Sequence, residues 1–333
     1  MEQRISAGRL AIRDLRVVAG GVALAIIVLL VGGAFAGLAV EGIRDFENAL
    51  AAFDSYLARI VWFTLWQAIL STAFSVIPAI AVARALSRHR AFRGRGLILK
   101  LFALPLALPA IVATLGILAL LGRAGLLAGP LSSLLGGTWP GIYGLSGILV
   151  AHVFFNLPLA TRLLLEALDT VPQDQWRLAS QLGMGPGSTF RLIEWPAIRS
   201  ALPGAAGLVF MLCVTSFTVV LTLVGGPAAT TLEVAIYQSL RFDFDPTRAV
   251  TLTVLQIGLT VAVMIVLGLL GARTALDGSL SVAPRKFLAI GPVESAVNSV
   301  VILIALALVA GPIAAVLVSG LKADLARLVL EVL

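Results

Sequence analysis

Residues 60–82 read IVWFTLWQAILSTAFSVIPAIAV, a stretch without a charged side chain. An α-helix needs roughly 20 consecutive apolar residues to cross the hydrocarbon core of a bilayer, so this stretch predicts a membrane-spanning helix. Other stretches of the chain have the same character. The predicted spans are residues 17–40, 60–82, 101–121, 145–165, 201–224, 249–271 and 296–318. We therefore expect an all-α fold, a polytopic transmembrane helical bundle of about seven spans.

The composition of the whole chain favours a membrane protein over a soluble one. Hydrophobic residues make up 59% of the chain and charged residues 12%, whereas a soluble domain carries about 25% charged residues. The first apolar run, residues 17–40, is too long for the apolar core of a signal peptide, so we interpret it as a retained membrane helix. Cys213 is the single cysteine, which excludes an intramolecular disulfide and a thiolate metal cluster.

The distribution of basic residues predicts the orientation of the spans. With a cytoplasmic N-terminus, 17 of the 24 lysine and arginine residues fall on the cytoplasmic side and seven on the other. This asymmetry follows the positive-inside rule. The basic cluster at residues 84–100 is therefore interpreted as a topology determinant instead of a binding patch. The net charge of +7 is explained in the same way, without a nucleic acid partner.

The longest predicted cytoplasmic segment, residues 166–200, reads EALDTVPQDQWRLASQLGMGPGSTFRLIEWPAIRS. Pro172 suits the start of a short helix, and Gly183 suits its end, because glycine accepts left-handed backbone angles. A second helix is expected to begin near Phe190, before Pro196. The apolar residues of this helix-turn-helix lie where lipid does not cover them. We therefore expect them to contact another protein.

This segment resembles the coupling loop of ABC importer permeases, whose pattern is Glu-Ala-Ala-x-x-x-Gly followed by hydrophobic-x-hydrophobic-Pro. Gly183 and the run Ile193-Glu194-Trp195-Pro196 match the pattern, whereas Arg177-Leu178-Ala179 stands in place of Glu-Ala-Ala. The chain is also similar to thiamine importer permeases over residues 54–86, 147–168, 210–240 and 244–250. The resemblance implies a helical bundle of the ABC importer permease type. It assigns contact with an ATPase to Trp176, Arg177, Leu178, Ala179, Leu182, Gly183, Ile193 and Pro196.

The resemblance further implies partners and a location. Thiamine importer permeases translocate thiamine across the bacterial inner membrane, together with a cytoplasmic ABC ATPase dimer and a periplasmic thiamine-binding protein. ATP and Mg²⁺ bind to the ATPase, so we expect neither a cofactor nor a metal site in this chain, and no enzymatic activity of its own. Membrane lipid is the remaining expected partner, and nucleic acid is not one.

A short internal repeat suggests how the chain is divided. The pattern Val40-Glu41-Gly42-Ile43-Arg44 returns as Val318-Ser319-Gly320-Leu321-Lys322, and internal repeats are common in transporters. The thiamine importer permeases that the chain resembles carry two permease modules. We therefore assign residues 1–290 to a first module with six spans, and residues 291–333 to the first helix of an incomplete second module.

Polar side chains inside the predicted spans are candidates for the translocation path, because they are costly in lipid and often functional. Each of them could equally form a hydrogen bond between helices, and the sequence leaves both interpretations open. The candidates are Gln67, His152, Asn156, Ser216 and Gln256. On the predicted periplasmic connection between the fifth and sixth spans, Asp243 and Asp245 either attract a cation or a docking protein or belong to a solvated face.

Other functions fit the sequence less well. A secondary transporter normally places an ionisable residue in the middle of a span, and no predicted span has a central carboxylate. A membrane enzyme needs a carboxylate pair, a metal cluster or an activated nucleophile, which two histidines and one cysteine do not supply. The chain also lacks a Gly-Lys-Ser/Thr phosphate-binding motif, so nucleotide must bind to another polypeptide. An ABC permease for iron, a phosphonate or a polyamine stays open as an alternative.

Overall fold

The computed structural model describes residues 18–37, 40, 55–89, 92, 94–226, 229–269 and 291–321, and within these ranges the chain is helical, without a strand. A π-helical turn, Phe190–Glu194, joins two of the helices without a break. The described helices are α1 (Val18–Gly37), α2 (Ser55–Arg88), α3 (Arg95–Leu101), α4 (Leu104–Ala107), α5 (Ala110–Leu121), α6 (Ala128–Leu135), α7 (Leu145–Asp169), α8 (Gln173–Gln181), α9 (Pro186–Thr189), α10 (Trp195–Val214), α11 (Phe217–Leu223), α12 (Leu232–Arg241), α13 (Pro246–Leu269) and α14 (Pro292–Leu321).

Six helical segments in the described part of the chain are long and apolar enough to cross a membrane. They are α1, α2, α7, the continuous segment Pro186–Val214, α13 and α14. A seventh span is present if the bent pair formed by Arg95–Ala107 and Ala110–Leu121 counts as one. The predicted all-α, polytopic bundle of about seven spans is thereby confirmed.

The third predicted span, residues 101–121, is not a straight helix. The segments Arg95–Ala107 and Ala110–Leu121 meet at an angle of 112°. The residue before a proline is disfavoured in the helical conformation, and Leu108, which precedes Pro109, is extended with φ −78° and ψ 137°. The prediction of a continuous span here was wrong, although the proline that breaks it is visible in the sequence.

The fifth predicted span, residues 201–224, is also interrupted. Helix α10 ends at Val214 and α11 begins at Phe217, with Ser216 outside helical geometry at φ −89° and ψ 84°. Neither proline nor glycine lies at this break. Thr215 Oγ1 donates a hydrogen bond to Met211 O (2.9 Å), and such side-chain bonds compete with the backbone ladder of a helix.

The described helices divide into two compact units. The larger unit comprises residues 59–234 and 256–321, and its apolar core takes side chains from α2, α5, α7, α10, α11 and α14. In this unit α5 and α14 approach so closely that a Cβ on Gly116 would lie 2.5 Å from Pro312 O. The smaller unit includes residues 55–58 and 235–255.

Helix α14 therefore packs against helices that precede it in the chain. Its assignment to a second module that begins near Gly291 stays a prediction. The repeat that suggested it falls partly outside the described residues, since residues 41–44 and residue 322 are not among them.

Candidate functional site

Helix α8 is the first arm of a hairpin, residues 173–194, which connects α7 to α10. Its end is a Schellman motif, in which the Met184 N–H donates to Ala179 O (3.0 Å) and the Gly183 N–H donates to Ser180 O (3.2 Å). This motif needs a residue with left-handed backbone angles just after the helix. Gly183 has φ +63°, so the predicted end of the short helix is confirmed.

The second arm of the 173–194 hairpin begins at Pro186 and runs through the π-helical turn Phe190–Glu194 into α10. We predicted a start near Phe190, which was too late, because Pro186 occupies the first helical turn, a position that suits proline. Pro196 lies in the first turn of α10, directly after the wider π turn. Because proline has no backbone N–H, one hydrogen bond of the helical backbone is missing there. The hairpin is therefore continuous with a membrane helix.

The two arms of the hairpin pack together through a small apolar cluster. Its buried members are Val171, Trp176, Ala179 and Ile193. Trp176 is fully buried, so its ring holds the arms together instead of lying open to another protein. This corrects the expectation that Trp176 offers its side chain to an ATPase.

Other apolar side chains of the hairpin face outward. Leu178 and Leu182 have exposed fractions of 57% and 68%. Arg177 is exposed as well and pairs with Asp174 over 3.6 Å. The predicted coupling residues thus divide into an inner group and a surface group. Trp176, Ala179 and Ile193 are buried, whereas Arg177, Leu178, Leu182, Gly183 and Pro196 are exposed.

Four charged residues meet where the hairpin joins the end of α2, and we call them the ionic cluster: Arg84, Arg88, Glu194 and Glu294. The fully buried carboxylate of Glu194 accepts hydrogen bonds from Arg84 Nε (2.7 Å) and from Arg88 Nε (2.9 Å). Glu294, in the first turn of α14, pairs with Arg88 and lies 3.8 Å from Arg84 Nη2. Sequence analysis missed this set. The available signal was a lone carboxylate, Glu194, between the apolar residues of the loop motif.

Arg84 also contacts the second arm of the hairpin at two further points. Its Nη2 donates to Pro186 O (3.2 Å), and its guanidinium carbon lies 5.0 Å from the centre of the Phe190 ring, within the range of a cation–π interaction. The interpretation of the basic cluster at residues 84–100 as a topology determinant is therefore incomplete, because two of its arginines make specific contacts. Arg90 and Arg93 lie outside the described residues.

Three of the predicted translocation residues come together inside the helical bundle. Gln67 Nε2 donates to Cys213 O (3.0 Å), and Asn156 Nδ2 donates to Cys213 Sγ (3.3 Å). His152 Nδ1 is hydrogen-bonded to Ser71 Oγ (2.8 Å). We call these five buried residues the polar cluster. Sequence analysis predicted Gln67, His152 and Asn156 but missed Ser71 and Cys213, which are small and common in membrane helices.

The polar cluster retains hydrogen-bonding capacity. Neither Gln67 Oε1 nor His152 Nε2 has a hydrogen-bond partner within the described part of the chain. Most buried polar atoms in proteins have a partner, so unpartnered atoms at two neighbouring residues call for an explanation. The cluster contains no carboxylate and no Lys or Arg.

Two other predicted residues are not brought into the polar cluster by any hydrogen bond between described residues. Ser216 is half-buried at the break between α10 and α11. Gln256, on α13, is buried, and neither of its amide atoms has a hydrogen-bond partner in the described ranges. The structure leaves their predicted role open.

The two predicted docking carboxylates differ in their surroundings. Asp245 Oδ1 accepts a hydrogen bond from the Arg248 N–H (2.9 Å), which caps the start of α13. Asp243 is exposed and, with Tyr56 and Arg248, lines a cleft of about 290 Å³ in the smaller unit. Within the described ranges, no group of three or more His, Cys, Asp or Glu residues could hold a metal ion.

The comparison with known families decides what kind of protein carries this hairpin. Residues 75–276 match the family described as binding-protein-dependent transport system inner membrane component. The chain belongs to this family. The matched range contains the whole 173–194 hairpin, both arginines of the ionic cluster and most of the helices that form the core.

Two curated relatives within this family of inner membrane components extend the likeness over most of the chain. The thiamine transport system permease protein ThiP of Brucella abortus (strain 2308) is 56% identical over 315 residues, which are 94% of this chain and 58% of that protein. ThiP of Escherichia coli (strain K12) is 48% identical over 280 residues, 82% of this chain and 50% of that protein. The chain thus spans little more than half the length of these relatives.

Solved structures of ABC transporters share the fold of this inner membrane component. A chain of a bacterial ABC transporter involved in the import of the acidic polysaccharide alginate matches with a TM-score of 0.67 at 14% identity, covering 79% of this chain and 97% of that chain. A chain of the inward-facing MetNI methionine ABC transporter matches with a TM-score of 0.50 at 20% identity, covering 65% and 94%. At these identities the likeness concerns the fold, and it confirms a helical bundle of the ABC importer permease type.

Proposed function

We propose that this chain is the first permease module of an ATP-driven importer that translocates thiamine. The observation that supports this most strongly is the 56% identity to a thiamine transport permease over 94% of the chain. A relative described as a putative 2-aminoethylphosphonate transport permease is 30% identical over 51% of the chain. The higher identity and wider coverage favour thiamine over a phosphonate.

The proposed transport needs partners that this chain does not supply. They are a second permease module, a dimer of a cytoplasmic ABC ATPase that binds ATP and Mg²⁺, and a periplasmic thiamine-binding protein. The distribution of basic residues supports an orientation in which the N-terminus and the 173–194 hairpin are cytoplasmic. Asp243 and its neighbours would then face the periplasm, where the binding protein docks.

The 173–194 hairpin is the proposed contact for the ATPase. Its arms are fixed by the buried Trp176 and by the Schellman motif at Gly183, and it presents Leu178 and Leu182 to its surroundings. Neighbouring exposed apolar side chains often mark a site of protein–protein interaction. Because the second arm continues into α10, a displacement of the hairpin moves a membrane helix directly.

The polar cluster is the proposed contact for the substrate. Thiamine carries a permanent positive charge on its thiazolium ring and hydrogen-bonding groups on its aminopyrimidine. The free acceptor at Gln67 Oε1 and the free ring nitrogen of His152 suit such a ligand. A cluster without formal charge also binds a cation weakly enough to release it, which translocation requires.

Proteoliposomes provide the direct test of this function. Vesicles that contain this module, the second module and the ATPase should take up radiolabelled thiamine. ATP is supplied on the side of the membrane that carries the ATPase, and the binding protein is supplied on the opposite side. Vesicles without the second module should take up none, because the path forms between two modules. Uptake of a phosphonate but not of thiamine by the complete set would contradict the proposed substrate.

A further inference from the structure

The ionic cluster joins three segments that are far apart in the sequence. It takes Arg84 and Arg88 from the end of α2, Glu194 from the base of the hairpin, and Glu294 from the start of α14. Each arginine contacts both carboxylates. Two positive and two negative charges balance within the cluster, so the buried carboxylate of Glu194 is compensated where it lies.

The geometry of these contacts goes beyond charge neutralisation. Glu194 is fully buried, and each of its oxygens accepts from a different arginine, Oε2 from Arg84 and Oε1 from Arg88. Charge-assisted hydrogen bonds of this kind are short and directional. Through its further contacts with Pro186 O and the Phe190 ring, Arg84 also holds the second arm of the hairpin at its start and at its middle.

The same two helical segments meet a second time at the polar cluster. Gln67, on α2, donates to the carbonyl of Cys213, near the end of the Pro186–Val214 segment. From the ionic cluster to this contact, the distance is about 26 Å along α2 and about 29 Å along the other segment at 1.5 Å per residue. Two helical stretches of similar length, one in α2 and one in the Pro186–Val214 segment, are therefore joined by a polar contact at each of their ends.

We propose that the ionic cluster is a clamp that makes the hairpin, α2 and α10 move as one body, with Glu194 as its positioning residue. This proposal rests on the proposed contact between the hairpin and an ATPase. A push on the hairpin reaches the polar cluster through both helices at once, because α2 cannot lag behind α10. Without the clamp, the hairpin still holds the ATPase, but its movement is transmitted incompletely.

The test uses the complete two-module permease with its ATPase and thiamine-binding protein in proteoliposomes. Glu194→Gln keeps the shape of the side chain and removes its charge. Glu166→Gln, at an exposed carboxylate near the end of α7, is the matched control. For each variant, ATPase recovery on purification, ATP hydrolysis and thiamine uptake are measured, and the ratio of ATP hydrolysed to thiamine moved is calculated.

The clamp predicts that Glu194→Gln lowers thiamine uptake roughly tenfold, a typical size for a coupling effect, while ATPase recovery and ATP hydrolysis stay near wild type. The ratio of ATP to thiamine therefore rises by the same factor, and Glu166→Gln leaves it unchanged. Should Glu194→Gln not assemble, Arg84→Lys replaces it, since lysine keeps the charge but lacks the planar fork that reaches several acceptors.

Two results would count against the proposal in different ways. If Glu194→Gln, or Arg84→Lys in its place, assembles and its ratio of ATP to thiamine equals that of the wild type and of Glu166→Gln, the ionic cluster only stabilises the fold and the clamp is wrong. If the wild-type complex itself takes up no thiamine, the proposed function fails, and the clamp fails with it.

Discussion

The polar cluster and the ionic cluster both take residues from α2 and from the Pro186–Val214 segment, yet they are built from different chemistry. The polar cluster uses neutral side chains, and two of its polar atoms have no hydrogen-bond partner within the described ranges. The ionic cluster uses full charges, and each carboxylate meets two arginines. In the described ranges the ionic cluster also has two atoms without a hydrogen-bond partner, Arg88 Nη2 and Glu294 Oε2, so the two clusters differ in charge and not in how completely they are hydrogen-bonded.

The difference in charge between the two clusters follows from where each cluster lies along the helices. A full charge in the middle of a membrane is costly, so a cluster at membrane depth is better made of neutral groups, whose spare acceptors can bind and release a ligand. At the end of α2 a buried carboxylate is tolerable if its partners are fixed. The charged contacts therefore lie at the base of the hairpin, and the neutral contacts lie within the spans.

Removing one side chain from each cluster should show this contrast most strongly. Glu194→Ala leaves two arginines without their buried acceptor, and breaking a buried ion pair in this way costs about 3–5 kcal/mol. Gln67→Ala leaves the Cys213 carbonyl without one donor, which costs about 1–3 kcal/mol. Thermal unfolding of the purified permease in detergent measures both. Equal losses of stability would show that the two clusters are not different in kind.

Adding a charge to the neutral cluster is the next largest perturbation. Asn156→Asp is nearly isosteric but places a carboxylate beside Cys213, where the polar cluster offers no cation. The expected loss of stability is on the order of 2.5–3.5 kcal/mol. Gln238→Glu, in α12 outside the predicted spans, is the control and should change little. Folded yield and thermal unfolding report the outcome, and an Asn156→Asp protein as stable as the control would refute the neutral character assigned to the cluster.

A smaller effect is expected from removing the free acceptor of Gln67. Gln67→Leu should raise the KM for thiamine roughly three- to tenfold, the equivalent of one hydrogen bond of about 0.5–1.5 kcal/mol. Thr114→Val is a suitable control, since the buried Thr114 lies outside the polar cluster and its hydroxyl donates to Ala110 O of its own helix (2.7 Å). Uptake kinetics in proteoliposomes distinguish the two variants. An unchanged KM for Gln67→Leu would leave the cluster with a packing role only.

The smallest effect should come from the exposed ion pair on the hairpin. Asp174 and Arg177 are mostly exposed and lie 3.6 Å apart, and pairs of this kind contribute less than about 0.5 kcal/mol. Asp174→Asn should therefore leave thermal stability and uptake at wild-type values. A loss as large as that of Glu194→Ala would mean that burial does not separate the two kinds of ion pair in this protein.

Local features of the hairpin could be predicted from the sequence, whereas its contacts could not. Gly183 ends α8 because a helix end is governed by neighbouring residues, and the break at Pro109 likewise follows from a local rule, the restriction on the residue before a proline. Glu194 and Arg84 are separated by 110 residues, and no local pattern connects them. Their encounter depends on how the helices pack.

The burial of Trp176 shows the same limit within one segment. The sequence of residues 173–182 correctly predicts a short helix with apolar contacts. It does not say which apolar side chains the chain itself covers: the second arm covers Trp176 and Ala179 through Ile193, whereas Leu178 and Leu182 stay exposed. The polar candidates show the same limit: Gln67 and Asn156 were predicted as candidates, but their common hydrogen-bond partner, Cys213, was not.

The central claim is that the exposed face of the 173–194 hairpin binds the ATPase, and co-purification of the ATPase with Leu182→Asp tests it most directly. Leu182 is an exposed side chain, so the substitution should spare the fold while it places a charge in the proposed interface. Burying a leucine side chain contributes about 1.5–3 kcal/mol, so replacing Leu182 by a charged residue should lower the affinity for the ATPase roughly tenfold or more. Leu240→Asp, at a similarly exposed leucine of α12, is the control. We predict that Leu182→Asp strongly lowers ATPase recovery and thiamine uptake while Leu240→Asp retains the ATPase; normal recovery and uptake with Leu182→Asp would contradict the account.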